Sequence, residues 1–214
     1  VTGVQTCALP ISLPTASATP NGIMLGPDDR IWCIEANVAK LAALDMRGRF
    51  EEMPLTGLSP GTKPLSLAFR GNVPWFSEPE IDKVGRLIDG KVEELTLPAG
   101  SQPRAMFTHP NGDIWFAATS AAFMGRIDRN NAVKNFMLPD AKAAPRSLAV
   151  TPDGKIWFTE DVTQKMGCMT PDGVLLGEFT IPEPLKGPRG MCVHSDGRIF
   201  FSACDSGHIG ELVF

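Results

Sequence analysis

Residues 151–160 read Thr151-Pro152-Asp153-Gly154-Lys155-Ile156-Trp157-Phe158-Thr159-Glu160. An Asp-Gly turn signal runs straight into a stretch rich in β-branched and aromatic side chains, the pattern of a hairpin turn feeding a strand. Before it, Pro145-Arg146-Ser147-Leu148 opens a first strand. After it, Lys165-Met166-Gly167 starts a third, Asp172-Gly173 makes a second turn, and Ile181-Pro182 closes a fourth. A closing Pro suits an outer edge strand, where its missing N–H costs no ladder bond.

The same parts recur along the chain. Pro20, Pro64, Pro103, Pro145 and Pro188 are spaced by 44, 39, 42 and 43 residues, and Trp32, Trp75, Trp115, Trp157 and Phe200 by 43, 40, 42 and 43. Asn111-Gly112 and Asp89-Gly90 repeat the turn signal, and these dipeptides predict two-residue hairpins, whose turns need positive φ. Four antiparallel strands in each repeat of about 42 residues is the signature of a propeller blade. One blade cannot bury both its faces, so blades stack around an axis. The fold class is therefore all-β: a β-propeller of four-stranded antiparallel blades. Five blades fall within residues 12–214, starting near residues 20, 64, 103, 145 and 188.

Composition agrees. Gly (21) and Pro (19) make up close to a fifth of the 214 residues and fall at strand openings and turns, which excludes long helices. Hydrophobic residues make up 43%, enough for a packed core. The net charge of −4, with no long basic run, argues against a nucleic-acid partner. No apolar run approaches the roughly 20 residues a membrane helix needs, so no membrane partner is expected either. The expected partner is a small molecule at the channel mouth, bound by a monomer.

Residues 1–11, VTGVQTCALPI, resemble the in-frame translation of a sequencing-library adapter and are set aside from the native sequence. Cys7 then carries no information, and the chain is expected to be a fragment cut on its N-terminal side. Leu13-Pro14 is expected to end a fourth strand of a preceding blade, because it precedes Pro20 as Pro139 precedes Pro145. The stop after a third strand, at Phe214, is expected to be a natural C-terminus.

The unit Pro-x-x-apolar, Pro-Asp-Gly-x-Ile-Trp-Phe-Thr-Glu, Lys-x-Gly closely resembles the repeat of the virginiamycin B lyase (streptogramin lyase) family, and the resemblance covers residues 12–214 in all five units. It implies a seven-bladed ring with further blades on the N-terminal side. It also implies opening of the ring ester of type B streptogramins by elimination, without water, assisted by a magnesium ion. The family's catalytic set is histidines directly after the blade-opening Pro, with glutamates nearby. Here that position holds Asn21, Leu65, Arg104, Arg146 and Arg189, and the last unit reads Gly187-Pro188-Arg189 where the lyases resemble Glu-Pro-His. An arginine stays protonated and cannot act as a general base.

The residues themselves suggest a site. The first strand starts, and the second ends, at the same end of their hairpin. One channel mouth should therefore carry Arg104, Arg146 and Arg189 together with Glu35, Glu78 and Glu160. Two readings stay open. One is an Arg–Glu network that closes the mouth between blades. The other is an anion or polar-ligand site formed by Arg104, Arg146, Arg189 and Glu35, with Glu78 and Glu160 available to a hard cation such as magnesium. His208, with Asp205 close by, is the histidine expected on the mouth side. It and Glu160 are the candidate catalytic residues. His109 and His194 are expected at exposed turns. Cys33, Cys168, Cys192 and Cys204 lack zinc spacing and are expected as small buried strand residues with no disulfide. Beside the lyase reading stand a non-catalytic ligand-binding or scaffold propeller and a lactonase-like, metal-dependent hydrolase.

Overall fold

The structure, a computed structural model, describes residues 11–213, and the adapter-like stretch apart from Ile11 lies outside them. Strands pair in chain order within each of five sheets. Blade 1 is β1 (Pro20–Leu25), β2 (Ile31–Glu35), β3 (Lys40–Leu44) and β4 (Phe50–Pro54). Blade 2 is β5 (Leu67–Arg70), β6 (Val73–Glu78), β7 (Lys83–Ile88) and β8 (Lys91–Thr96). Blade 3 is β9 (Pro103–Thr108), β10 (Ile114–Ala118), β11 (Phe123–Ile127) and β12 (Val133–Met137). Blade 4 is β13 (Pro145–Val150), β14 (Ile156–Glu160), β15 (Lys165–Met169) and β16 (Leu175–Thr180). The last sheet has three described strands, β17 (Pro188–Val193), β18 (Ile199–Ala203) and β19 (His208–Leu212). The propeller fold is the one the repeat implies, and the first strands open at Pro20, Leu67, Pro103, Pro145 and Pro188. Only β5 begins late, because Leu65 and Ser66 bond to Ser77 through an irregular pairing instead of a ladder. Residues 11–19 hold no strand.

The turns differ from expectation in a physically simple way. At Asp89-Gly90 both residues have positive φ, 48° and 75°, and Ile88 pairs with Lys91 around a two-residue turn, as expected. At Asp153-Gly154 only the glycine is left-handed (φ 80°). Gly154 N donates to Thr151 O and Thr151 N to Lys155 O, which makes a three-residue loop: a first turn followed by a left-handed glycine. Thr170–Val174 repeats this with Gly173, and His109–Asp113 with Gly112.

Alternation along the second strand decides how blades stack. Successive side chains point to opposite faces, so Trp115 and Phe116 face different neighbours. Trp75 packs with Ile114 and Phe116 of the next blade, and Trp115 with Ile156 and Phe158 of the one after. Each Phe ring lies over the glycine opposite it on the third strand: Phe76 over Gly85, Phe116 over Gly125, Phe158 over Gly167, Phe201 over Gly210. Blade 1 replaces the pair with Cys33 and Ala42. The third residue after the opening Pro is buried at Leu67, Met106 and Leu148 and half-buried at Met191, whereas its blade-1 counterpart Ile23 is exposed.

Two smaller expectations are corrected. His109 is buried, not exposed. Its Nε2 lies 3.0 Å from Gly154 O, and Asn111 N donates to its Nδ1, so it ties the blade-3 turn to the blade-4 turn. Among the described cysteines only Cys168 is buried. Cys33 is half-buried, Cys192 and Cys204 are exposed, and all four are free.

Candidate functional site

The three arginines reach the mouth by a repeated backbone irregularity. Pro145 pairs with Glu160 and Leu148 with Phe158, so Arg146 and Ser147 together oppose the single residue Thr159. Arg104–Ala105 and Arg189–Gly190 stand in the same relation to Ala117 and Ser202. A bulge of this kind re-aims a side chain out of the sheet. The amide it removes from the ladder is taken by a hydroxyl: Ser147 N donates to Thr159 Oγ1 at 3.0 Å, Gly190 N to Ser202 Oγ at 2.9 Å, and Ser66 N to Ser77 Oγ at 3.1 Å. Ser77 and Thr159 then donate forward to Arg104 O and Arg189 O of the next blade, at 2.7 and 3.1 Å. One hydroxyl thus fixes its own bulge and the neighbouring arginine's backbone.

Arg104, Arg146 and Arg189 line one cavity of about 250 Å³, with Leu65, Ala105 and Ser147 among its other walls. A larger hollow of about 530 Å³ lies against blade 1, but its lining, including Ile23, Ile31, Leu44 and Phe50, brings no charged side chain. The mouth cavity, with convergent polar groups, is the stronger site.

The expected Arg–Glu network does not form. Arg146 Nη1 pairs with Asp161 Oδ2 at 2.8 Å. Arg189 pairs with Asp161 at 3.4 Å and with Asp205 at 3.1 Å, and these two carboxylates raise its pKa. Arg104 has no ion-pair partner among the described residues, and its Nε is buried without a hydrogen-bond partner.

The glutamates turn away from the arginines because they end the second strand on its Phe face, toward the third and fourth strands. Glu35, Glu78 and Glu160 are each fully buried. Each sits opposite a lysine: Glu35 with Lys40, Glu78 with Lys83, Glu160 with Lys165. That lysine pairs with a second glutamate: Lys40 with Glu52 at 2.7 Å, Lys83 with Glu94 at 2.6 Å, and Lys165 with Glu178 at 3.0 Å. Burial, followed by the charge of Glu94, pushes Glu78 up to about 8. Burial is also the main cause that brings Glu160 to about 7 and raises Glu35. Glu94 and Glu52 are lowered, and their bonds to Lys83 and Lys40 and to Ser59 and Thr15 pull them down against burial. Two carboxyls around one ammonium are best balanced when one of them holds a proton. Thr15 and Ser59 come from the segments preceding blades 1 and 2, so these two trios also fasten those segments. Blade 3 replaces the trio with Ala118, Phe123 and Asn135.

These placements bear on the cation. A magnesium ion needs several oxygen ligands in an octahedron. Glu78 and Glu160 lie in different blades, each facing an ammonium, and the described residues contain no group of three or more His, Cys, Asp or Glu that could hold a metal. The described donor set therefore does not fit the ion, and no step is routed through it. His208 is exposed opposite Ala203, at the position where other blades carry the trio's lysine, and it does not line the arginine cavity.

Sequence reasoning missed the hydroxyls Ser77, Thr159 and Ser202 and the lysine trios. Both left a signal: Ser or Thr directly before the residue that ends the second strand, and Lys at the start of the third.

Comparison with known proteins agrees with this architecture. No curated protein matches the chain. Among solved structures, selenomethionine-substituted virginiamycin B lyase from Staphylococcus aureus is similar at 28% identity and a TM-score of 0.81, over 92% of this chain and 70% of that one. A streptogramin B lyase structure is similar at 26% identity and 0.83, over 93% and 66%. A catalytically inactive histidine-to-alanine variant of the S. aureus lyase with quinupristin is similar at 25% identity and 0.86, over 94% and 69%. The chain thus spans about two thirds of the length of these proteins. The model of the virginiamycin B lyase family matches residues 10–214, and the chain belongs to that family.

Proposed function

We propose that this protein is streptogramin B lyase-like and binds a cyclic depsipeptide at the arginine-lined mouth. The carrying observation is the convergence of Arg104, Arg146 and Arg189 on one cavity of a propeller in this family. Ring opening by elimination removes a proton next to a carbonyl. The freed electron pair forms a carbon–carbon double bond, the ester C–O bond breaks, and the acyl oxygen leaves as a carboxylate. Guanidinium groups suit that developing anion. They cannot take the proton, so the base must be another group.

The test is incubation of the full-length protein with a type B streptogramin, with and without magnesium, followed by chromatography and mass spectrometry. Elimination yields a ring-opened product of unchanged mass, and hydrolysis adds one water. The expected result is the isomeric product. A hydrated product would favour the lactonase-like hydrolase.

A second reading, a non-catalytic ligand-binding propeller, is favoured by Arg189, which stands where the resemblance places a histidine. Tight streptogramin binding with no product would establish it.

A further inference from the structure

The arginine cavity is not electrically uniform. Three guanidiniums converge on it, and two carboxylates, Asp161 and Asp205, answer them. Asp161 pairs with Arg146 and Arg189, and Asp205 with Arg189. Arg104 is left with a buried, unpartnered Nε and no ion pair among the described residues. The glutamates at the same end of the blades, Glu35, Glu78 and Glu160, are buried on the other face, each opposite a lysine (Lys40, Lys83 or Lys165) of the third strand. The cavity therefore carries a surplus of one positive charge, held on Arg104. Its backbone is fixed by the bond from Ser77 Oγ to Arg104 O at 2.7 Å, and Leu65 and Ala105 supply apolar wall beside it.

We infer that Arg104 anchors a monocarboxylate subsite, and that its ligand is a carboxylate on a compact apolar body. The planar guanidinium fork matches a carboxylate in two parallel hydrogen bonds. A single surplus charge suits a monoanion over a dianion such as phosphate. The volume of about 250 Å³ admits a head group and a short chain. Asp161 acts as a positioning residue: together with Asp205 it neutralises Arg146 and Arg189 and keeps the site selective for one negative charge. This inference rests on the proposed function only for the location of the ligand, and it holds whether or not the bound molecule reacts.

Calorimetric titration of the full-length protein with hexanoate, and separately with inorganic phosphate, tests it. Hexanoate is expected to bind more tightly than phosphate. Arg104→Gln should weaken hexanoate at least about tenfold, the loss of a charge-assisted pair. Arg104→Lys, which keeps the charge and the fold but loses the fork, should fall between them. Asp161→Asn should raise phosphate affinity relative to hexanoate, because it adds a second uncompensated charge. Equal hexanoate binding by the wild type and the Arg104→Lys and Arg104→Gln variants would overturn the inference, as would preference for phosphate in the wild type. Loss of streptogramin turnover with intact Arg104-dependent hexanoate binding would overturn the lyase reading alone.

Discussion

The ring of Phe116 occupies the space that a Cβ on Gly125 would need, directly across the β10–β11 pair. The same exclusion holds at Phe76–Gly85, Phe158–Gly167 and Phe201–Gly210, and each ring packs toward the preceding blade. Gly125→Ala should therefore cost about 1–3 kcal/mol, because the ring must leave its place in a close-packed interface. Thermal denaturation of the variant checks this, and an unchanged midpoint would show that the ring can move freely. In blade 1, where Ala42 already faces Cys33, Ala42→Gly should cost about 1 kcal/mol or less.

The buried trios predict a pH dependence with a definite sign. Glu78 holds its proton up to about 8 in the folded chain, against an ordinary value of 4.5. The folded state therefore binds more protons than the unfolded one in this window, and stability falls as pH rises through it. Glu78→Gln keeps the neutral shape. It should flatten the alkaline limb of the stability curve while leaving the curve near pH 4.5 little changed. Denaturant titrations across the window measure it. A parallel alkaline limb in both proteins would contradict the protonated-glutamate account.

Thr159 serves two blades with one hydroxyl, accepting from Ser147 N and donating to Arg189 O. Thr159→Val removes both bonds at nearly constant volume and should cost about 1–3 kcal/mol, since it strands a part-buried amide and a carbonyl. Thr159→Ser should recover most of it. If Val and Ser behave alike in urea unfolding, the hydroxyl does not hold the bulge.

His109 links two turns through Gly154 O. His109→Ala should destabilise the protein by about 1–3 kcal/mol through the lost bond and the void. His194→Ala should fall within about 0.5 kcal/mol of wild type, because His194 is exposed beside Asp196. Side-by-side melting curves decide, and equal losses would refute the assignment.

The pattern of residue types is enough for the repeat and for the fold that follows from it. Period-2 alternation, a turn signal and an opening Pro recur about every 42 residues, and an element that cannot bury two apolar faces alone must stack. It also placed Arg104, Arg146 and Arg189 at one end of the blades, because antiparallel pairing puts the start of one strand beside the end of the next. Two histidines with similar turn contexts, His109 and His194, could not be ranked by burial, since burial depends on which turn of the neighbouring blade leans over them. Tertiary structure alone decided which charges meet. A one-residue bulge swings each arginine out of its sheet, while strand alternation sends Glu35, Glu78 and Glu160 to the other face, opposite a lysine on the adjacent third strand. Arginine and glutamate share an end of the blade in the sequence pattern. The face each side chain takes, fixed by the bulge and the pleat, separates them and leaves Asp161 to hold Arg146 and Arg189 while Arg104 stands free.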